Sequence, residues 1–452
     1  MVILNQQNRQ EYRVEIIEAI HTQNLEAFRE LFLELHPTDQ IEIMISLDKK
    51  QRTVVYKYLS AGEFAEIFQG LELSRQKQFF AELQQNYAID MLNQMSFDDI
   101  ADFLAELPVA TKELFLSKMN RADAQEVLHL LKYPEQTAGA LMTTEFIYVK
   151  EKETVSEVIE HLRKEGPDAE TIYYIYVVNE QFDLVGVLSI RDLIVSPVER
   201  CIEEIMSTRV VFVDVNTDQK EVADVIKKYD FFAVPVTVQG KLVGIITVDD
   251  ALDVVDEEVT EDFHKMATVS KLGKSLKDAG VFFLYRKRIS WLVLLVFFNI
   301  FSGAGIAFFE DTIAAHIALV FFLPLLVDSG GNAGSQSATL MIRALATGEI
   351  RMRDWAKLFA KEISVALLLG ITMALAVSMI GFYRGGIEIA IVVALSMILV
   401  VIVGSLIGMS LPFLLSRINQ DPATASAPLI TSLADMIGVL IYFSIAAWFL
   451  GL

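Results

Sequence analysis

Val185-Gly-Val-Leu-Ser-Ile-Arg-Asp192 and Val243-Gly-Ile-Ile-Thr-Val-Asp-Asp250 are two copies of one phrase. Each is a β-branched run that ends in Ser or Thr, with Asp three residues later. Such an ending caps a following helix, because the hydroxyl accepts from the free N–H groups of its first turn. A second phrase recurs upstream of each copy, Leu141-Met-Thr-Thr144 against Ile205-Met-Ser-Thr208. Together they predict a duplicated unit of strand, helix, strand, strand and helix over residues 136–253. Within it, Ile175–Val178 and Val185–Leu188 read as strands separated by the turn-like Asn179–Asp183. A hydroxyl and a carboxylate at this spacing can also hold a ribose.

Toward the N-terminus the pattern changes to a twelve-residue beat. Leu35, Leu47, Leu59, Leu71, Leu83, Met95, Leu107, Met119 and Leu131 recur at that interval. Four residues before each stands another apolar residue, from Leu31 and Ile43 to Phe115 and Val127. Each unit is then one short amphipathic helix, and residues 1–135 are predicted to form a helical superhelix. Asp39, Asp99 and Asp123 stand at unit starts as N-caps or first-turn acids.

Beyond the duplicated unit the chain turns acidic. Residues 249–262 read DDALDVVDEEVTED, in which eight of fourteen side chains are carboxylates. Asp250, Asp253 and Glu257 share one helical face, and like charges at that spacing destabilise an isolated helix. A hard divalent cation, held through oxygen and water, would relieve the repulsion. Glu258, Glu261 and Asp262 extend the run; Asp98, Asp99 and Asp102, on one turn of helix, and Asp230 are further candidate ligands. Lys265, Lys271, Lys274 and Lys277 follow, as expected of a connecting helix (254–285) that runs close to a membrane surface.

Residues 286–452 are of another physical class. Residues 1–288 hold 50 acidic and 31 basic side chains, whereas 289–452 hold 9 and 7 amid long apolar runs. Five spans are predicted at 289–309, 314–342, 358–382, 388–415 and 424–450, an all-α transmembrane bundle. Arg286, Lys287, Arg288, Arg343, Arg351, Arg353, Lys357, Lys361 and Arg417 mark one side and Arg384 the other. The bias puts the front half in the cytosol and the C-terminus outside. The first residues lack the cationic and apolar pattern of a signal peptide. A net charge of −19 over the front disfavours nucleic acid and attracts cations. The single cysteine, Cys201, excludes an intrachain disulfide and a thiolate metal cluster.

Two features inside the spans call for a function. Phe322-Leu-Pro-Leu-Leu-Val-Asp-Ser-Gly-Gly-Asn-Ala-Gly-Ser-Gln336 places Pro324, Asp328, Gly330, Gly331 and Asn332 at membrane depth, where loosened backbone lines water or protein. Asp435 lies in the last run, where a charge costs about 2.5–3.5 kcal/mol unless water, a partner or an ion attends it. No cation of the spans is placed to pair with it, so a hydrated cation is the expected partner.

The duplicated unit resembles a pair of cystathionine-β-synthase (CBS) domains. Such pairs commonly bind adenine nucleotides between their copies, and the resemblance puts Tyr174, Arg191, Asp192 and Phe231 at that cleft, with ATP a candidate regulatory ligand. The whole chain, through Pro324–Asn332, Asp421-Pro-Ala-Thr-Ala-Ser-Ala-Pro428 and Thr431-x-x-x-Asp435, resembles the MgtE family of Mg²⁺ channels. The resemblance implies a multidomain homodimer with a pore on the twofold axis, lined by the second and fifth spans. It implies hydrated Mg²⁺ at Asp435, and closure by cytosolic Mg²⁺ at Asp99, Asp250, Asp253, Glu258, Glu261 and Asp262. Asp328 departs from it, standing where a small neutral residue is expected.

Three rival readings are distinguishable. A carrier of Co²⁺ or Mn²⁺ would favour nitrogen or sulfur ligands, and the spans hold only His316. A zinc protease would need H-E-x-x-H, which is absent, so no enzymatic activity is expected. A sensor merely anchored by its spans would need neither Asp435 nor a glycine-broken helix.

Overall fold

The computed structural model describes residues 2–5, 8–270 and 279–451. Lys271, Lys274 and Lys277 lie outside the described residues. The chain divides into two compact units, Met1–Glu257 and Glu258–Leu452.

In the first unit, α1 (Arg9–His21) leads into helices that start every twelve residues: α2 (Leu25–Leu33), α3 (Pro37–Ser46), α4 (Lys49–Tyr58), α5 (Ala61–Gln69), α6 (Leu73–Phe80), α7 (Gln85–Leu92), α8 (Phe97–Ala105), α9 (Val109–Leu116) and α10 (Arg121–Leu130). The beat leucines and methionines 35, 47, 59, 71, 95 and 119 are buried in one core. Phe80 at the end of α6 meets Phe103 of α8 and Phe115 of α9, with ring centroids 4.8 and 5.0 Å apart, and so joins units two and three repeats away. Burying a phenylalanine fully stabilises by about 1.5–3 kcal/mol, so each turn is held by its neighbours more than by helix propensity. Asp39, Asp99 and Asp123 are first-turn acids; the capping side chains are others, such as Asp48 and Ser60, each in a complete capping box.

A short helix, α11 (Ala138–Leu141), opens the duplicated region. The first copy is β1 (Phe146–Lys150), α12 (Val155–Glu165), β2 (Thr171–Val178), β3 (Leu184–Ser189) and α13 (Ile190–Val195). The second is β4 (Val213–Asp214), α14 (Gln219–Tyr229), β5 (Ala233–Val238), β6 (Lys241–Thr247) and α15 (Val248–Met266). Each copy builds a mixed three-stranded sheet, its first pair parallel and its second antiparallel. The two recurring phrases pack on each other. A methyl on Gly244 would stand 2.6 Å from Met142 Sδ, and one on Gly186 would overlap Met206. The glycine of one phrase therefore receives the methionine of the other.

In the second unit, α16 (Val281–Phe308), α17 (Glu310–Ala315), α18 (Ala318–Ala346), α19 (Trp355–Arg417) and α20 (Ala427–Leu450) carry the apolar sequence. The spans expected at 358–382 and 388–415 are the two arms of α19, which folds back at Gly386 (φ 78°, ψ −170°). Among the described residues, three helices are long and apolar enough to cross a membrane: Val281–Phe308, Met352–Arg417 (which holds both arms) and Ala427–Leu450. The span expected at 314–342 is α18, which is long enough but diluted by Asp328, Ser329, Gly330, Gly331 and Asn332. Its buried face packs with both arms of α19 and with α20 around Phe322, Leu326, Val393, Met397 and Phe443.

Candidate functional site

The first site grows from two helices of the first unit. α8 brings Asp98, Asp99 and Asp102 together, and the first turns of α15 bring Asp249, Asp250, Asp253 and Glu257. Asp99 is held: its Oδ2 accepts from Gln69 Nε2 at 2.5 Å and from Ser96 Oγ at 2.8 Å. Asp250 Oδ2 accepts from Thr247 Oγ1 at 2.6 Å, the same hydroxyl-to-carboxylate bond that Ser189 makes with Asp192 in the first copy. Asp98 Oδ1, in contrast, is buried with no hydrogen-bond partner.

Two carboxylates not anticipated from sequence join them. Glu145 Oε2 accepts from the Phe97 N–H at the start of α8 (3.0 Å), and Glu145 O accepts from Glu170 N–H (2.8 Å). Neither lies in a charge run, and only the fold brings them to α8.

The electrostatics show the cost of this gathering. Burial and then Asp99 push Asp98 up to about 6. Burial outweighs the Thr247 hydrogen bond and, with Asp98, Asp249 and Asp99, pushes Asp250 up to about 8. Asp102 rises to about 7 through desolvation, then Asp98, Asp99 and Glu257; Glu170 also rises to about 7, through desolvation, Asp98 and Asp249. Asp253 is raised by desolvation and then by Asp249. Asp102, Glu170 and Asp253 keep an open edge to water, whereas Asp98 and Asp250 are more enclosed.

Among the described residues no three carboxylates or histidines converge tightly enough to hold one ion directly. The donor set is instead a wall of hard oxygens around an orphaned buried one, which suits a cation that keeps most of its water shell, as Mg²⁺ does. Asp230 is placed elsewhere, as the left-handed C-cap of α14 (φ 52°). Glu258, Glu261 and Asp262 belong to the second unit.

The nucleotide candidates divide similarly. Tyr174 meets Phe231 edge-on at 6.4 Å between centroids, and the exposed pair Tyr173 and Phe232 stacks at 5.3 Å. Tyr174 is the register partner of Ser189, whose hydroxyl donates to Asp192 Oδ2 at 2.6 Å. Arg191 and Asp192, at the exposed start of α13, thus follow the strand that flanks the aromatic pair.

In the second unit, Asp435 of α20 is half-buried against a glycine seam. A methyl on Gly331 of α18 would lie 3.0 Å from Thr431 Cγ2 and 3.4 Å from Asp435 Oδ1. Gly330 and Gly334 meet the second arm of α19: a methyl on Gly334 would stand 2.6 Å from Gly404 O, and one on Gly404 or Gly408 would overlap the backbone of Gly330 or Gly334. Gly330 and Gly334, expected to loosen the backbone, lie instead in the unbroken helix α18 and let it cross Gly404-x-x-x-Gly408 closely, a small-residue spacing legible in sequence. On the other side of α18, Asp328, Asn332, Gln336, Thr339 and Arg343 form an exposed polar stripe. Asn332 Nδ2 donates to Asp328 Oδ2 at 3.0 Å, which gives the unexpected Asp328 a partner one turn away.

Lys265, the first of the lysines expected near a membrane surface, is paired within the second unit. Its Nζ is 2.6 Å from Glu261 Oε1 and 2.5 Å from Asp421 Oδ2. Asp421 Oδ1 accepts from Ala423 N–H and so caps the turn that leads into α20.

Comparison with known proteins follows the same division. Residues 35–136 match the MgtE intracellular N domain, 138–199 and 202–257 the CBS domain, and 323–445 the MgtE divalent cation transporter domain. The magnesium transporter MgtE of Thermus thermophilus is 40% identical over 96% of this chain and 97% of its own; those of Enterococcus faecalis and Bacillus subtilis are 37% and 35% identical over 96% of each chain. The soluble part of a magnesium transporter superposes on 55% of the chain with 99% of its own (TM-score 0.53, 42% identity). The cytosolic domain of the Mg²⁺ channel MgtE in complex with ATP covers 54% of this chain and 99% of its own (TM-score 0.52, 40% identity). Matched nearly end to end by these transporters and segment by segment by the three family models, the chain belongs to the MgtE family of magnesium transporters.

Proposed function

We propose that the protein is a Mg²⁺-selective channel of the cell membrane, a homodimer of five spans per subunit, which admits Mg²⁺ down its electrochemical gradient. The carrying observation is the pairing of Asp435 at a glycine seam with a polar stripe on α18. A stripe of Asp328, Asn332 and Gln336 is costly against lipid, so it lines water or a second copy. Two copies facing across a twofold axis would hold one ion between two Asp435 carboxylates through its water shell.

The acidic wall of α8 and α15 serves as the cytosolic sensor. Without a divalent cation its carboxylates repel; bound Mg²⁺ removes that penalty and favours the arrangement in which they converge. Each ion shifts the equilibrium only by its differential affinity for the closed state, and several ions make the response steep. Asp99, Asp250, Asp253, Glu258, Glu261 and Asp262 are the proposed sensor ligands, with ATP bound at Tyr174, Arg191, Asp192 and Phe231 as a regulatory nucleotide.

The test is Mg²⁺ uptake into liposomes. Wild type should conduct, whereas Asp435→Asn and Asp435→Ala, folded to the same melting temperature, should lose at least tenfold in flux. Undiminished flux in both variants would remove Asp435 from the pathway. Faster flux of Co²⁺ or Mn²⁺ than of Mg²⁺ in wild type would replace the cargo.

A further inference from the structure

The first arm of α19 has two opposed faces. One is a seam of small residues, with Ala366, Gly370, Ala374, Val377 and Gly381 buried. Methyl groups on Gly370 and Gly381 would stand 3.0 and 2.9 Å from the Cα atoms of Ile398 and Ala390 in the second arm. The other face is bare: Leu368, Leu375 and Met379 are 68, 67 and 66% exposed. Continued toward the helix start at helical spacing, that bare stripe runs into Lys361, Lys357 and Arg353, all exposed. At 1.5 Å per residue, Lys361 and Lys357 stand about 10 and about 17 Å along the axis from Leu368.

Among the described residues of the second unit, no carboxylate claims these cations. Among the described residues none of the three is in an ion pair. Of the nearby acids, Asp354 accepts from the Arg351 N–H at 2.9 Å, and Glu362 is half-buried on a neighbouring face. Trp355 and Met352 are exposed at the same end, and the Trp355 ring packs beside Phe359 at 5.0 Å. An apolar stripe that ends in unpaired cations and a tryptophan has the composition of a bilayer interface.

We propose that Arg353, Lys357 and Lys361, with Trp355, form a binding site for the headgroup of an anionic phospholipid whose acyl chains lie along Leu368, Leu375 and Met379. This goes beyond ion transport and rests only on the first arm of α19 crossing a bilayer. Charge complementarity selects the occupant. A second copy docked on the same stripe would set these cations against their own counterparts. An acidic protein surface would satisfy the cations but leave the apolar stripe that continues them uncovered. A phosphodiester with two acyl chains satisfies both.

The test uses full-length protein with Trp355 as its only tryptophan (Trp291→Phe, Trp448→Phe). It is reconstituted in phosphatidylcholine bilayers that contain acyl-brominated phosphatidylglycerol or acyl-brominated phosphatidylcholine. Quenching of Trp355 should favour the anionic lipid by about fivefold or more at low salt, as expected of about one well-placed cation. Lys357→Gln/Lys361→Gln should bring the ratio toward one, and Lys357→Arg/Lys361→Arg should keep it. Equal quenching by the two lipids in the parent would overturn the proposal, as would a preference that survives the glutamine variant or is lost in the arginine variant. Abolition of the preference by soluble glycerol phosphate would assign the cations to a free phosphate instead. Carbodiimide crosslinking of Lys357 or Lys361 to a carboxylate of the protein in anionic bilayers would assign them to an acidic surface.

Discussion

Lys265 Nζ stands 2.5 Å from Asp421 Oδ2, which ties the last turn of α15 to the capped turn ahead of α20. The neighbouring Met266 packs with Ala338, Ile342, Ala423, Ala425 and Ile430, so the ion pair sits beside an apolar contact between the end of α15 and the bundle. Burial works against the charge on Lys265, but the hydrogen bonds to Asp421 and Glu261 outweigh it and raise the pKa. Both partners are about one-third exposed, so the pair is worth about 1 kcal/mol. Lys265→Gln and Asp421→Asn should each speed amide exchange at Met266–Thr268, and the double variant should match either single one. Additive effects in that double-mutant cycle would show that the pair carries no coupling.

Mg²⁺ bound at the acidic wall, as proposed, would compete with protons there. Asp98, Asp102, Glu170 and Asp250 have folded values of about 6, 7, 7 and 8, above the usual carboxylate range. A raised value means the folded state binds more protons, so without Mg²⁺ the stability of the first unit should fall as pH rises from about 4 to about 8. Mg²⁺ should reverse that fall and release protons as it binds. Its half-saturating concentration should rise as pH drops from 8 to 6, by up to about tenfold per unit if each ion displaces one proton. Calorimetry in two buffers of different ionisation enthalpy measures the proton release directly. Asp98→Asn/Asp250→Asn should flatten both profiles, and an unchanged pH dependence would place the sensor elsewhere.

Local patterns carried much of this architecture. The twelve-residue beat reappears as helix starts at 25, 37, 49 and onward, because each unit must bury the same two or three side chains against its neighbours. The phrase at Ser189 marked its cap, and at Thr247 it marked the hydroxyl bond to Asp250, because both contacts act within three residues. Glu145 and Glu170 were invisible for the converse reason: they reach the acidic wall through sheet topology, which joins residues distant in sequence. The pairing of Lys265 was illegible for the same reason, since its partner, Asp421, lies 156 residues away. The glycines at 404 and 408 escaped notice amid an apolar run, since their meaning depends on which helix crosses them.

That crossing gives a sharp expectation. A methyl on Gly408 would overlap Gly334 O, and backbone cannot retreat as a side-chain tip can. Gly408→Ala should therefore push α18 from the second arm of α19, destabilise by about 2 kcal/mol or more and reduce Mg²⁺ flux at least tenfold. Gly303→Ala, where the added carbon meets nothing within 4 Å, should leave melting temperature and flux near wild type. Normal flux in Gly408→Ala would show that the bundle tolerates a wider crossing and that Asp435 does not depend on it.

The aromatic pair between the two CBS copies predicts how a nucleotide would be read. Tyr174 and Phe231 come from different copies and meet edge-on, so a base inserted beside them touches both copies at once. Stacking is worth about 1–3 kcal/mol per base, which converts to about a five- to 150-fold loss of ATP affinity for Phe231→Ala. Asp192 is already engaged by Ser189, and if it receives the ribose it must trade that bond or share its second oxygen. Asp192→Asn should then weaken ATP and deoxy-ATP unequally, whereas Phe231→Ala should weaken both alike. Isothermal titration with the two nucleotides separates the roles. Equal losses for Asp192→Asn would mean that the carboxylate only caps α13, and the base contact alone would define the site.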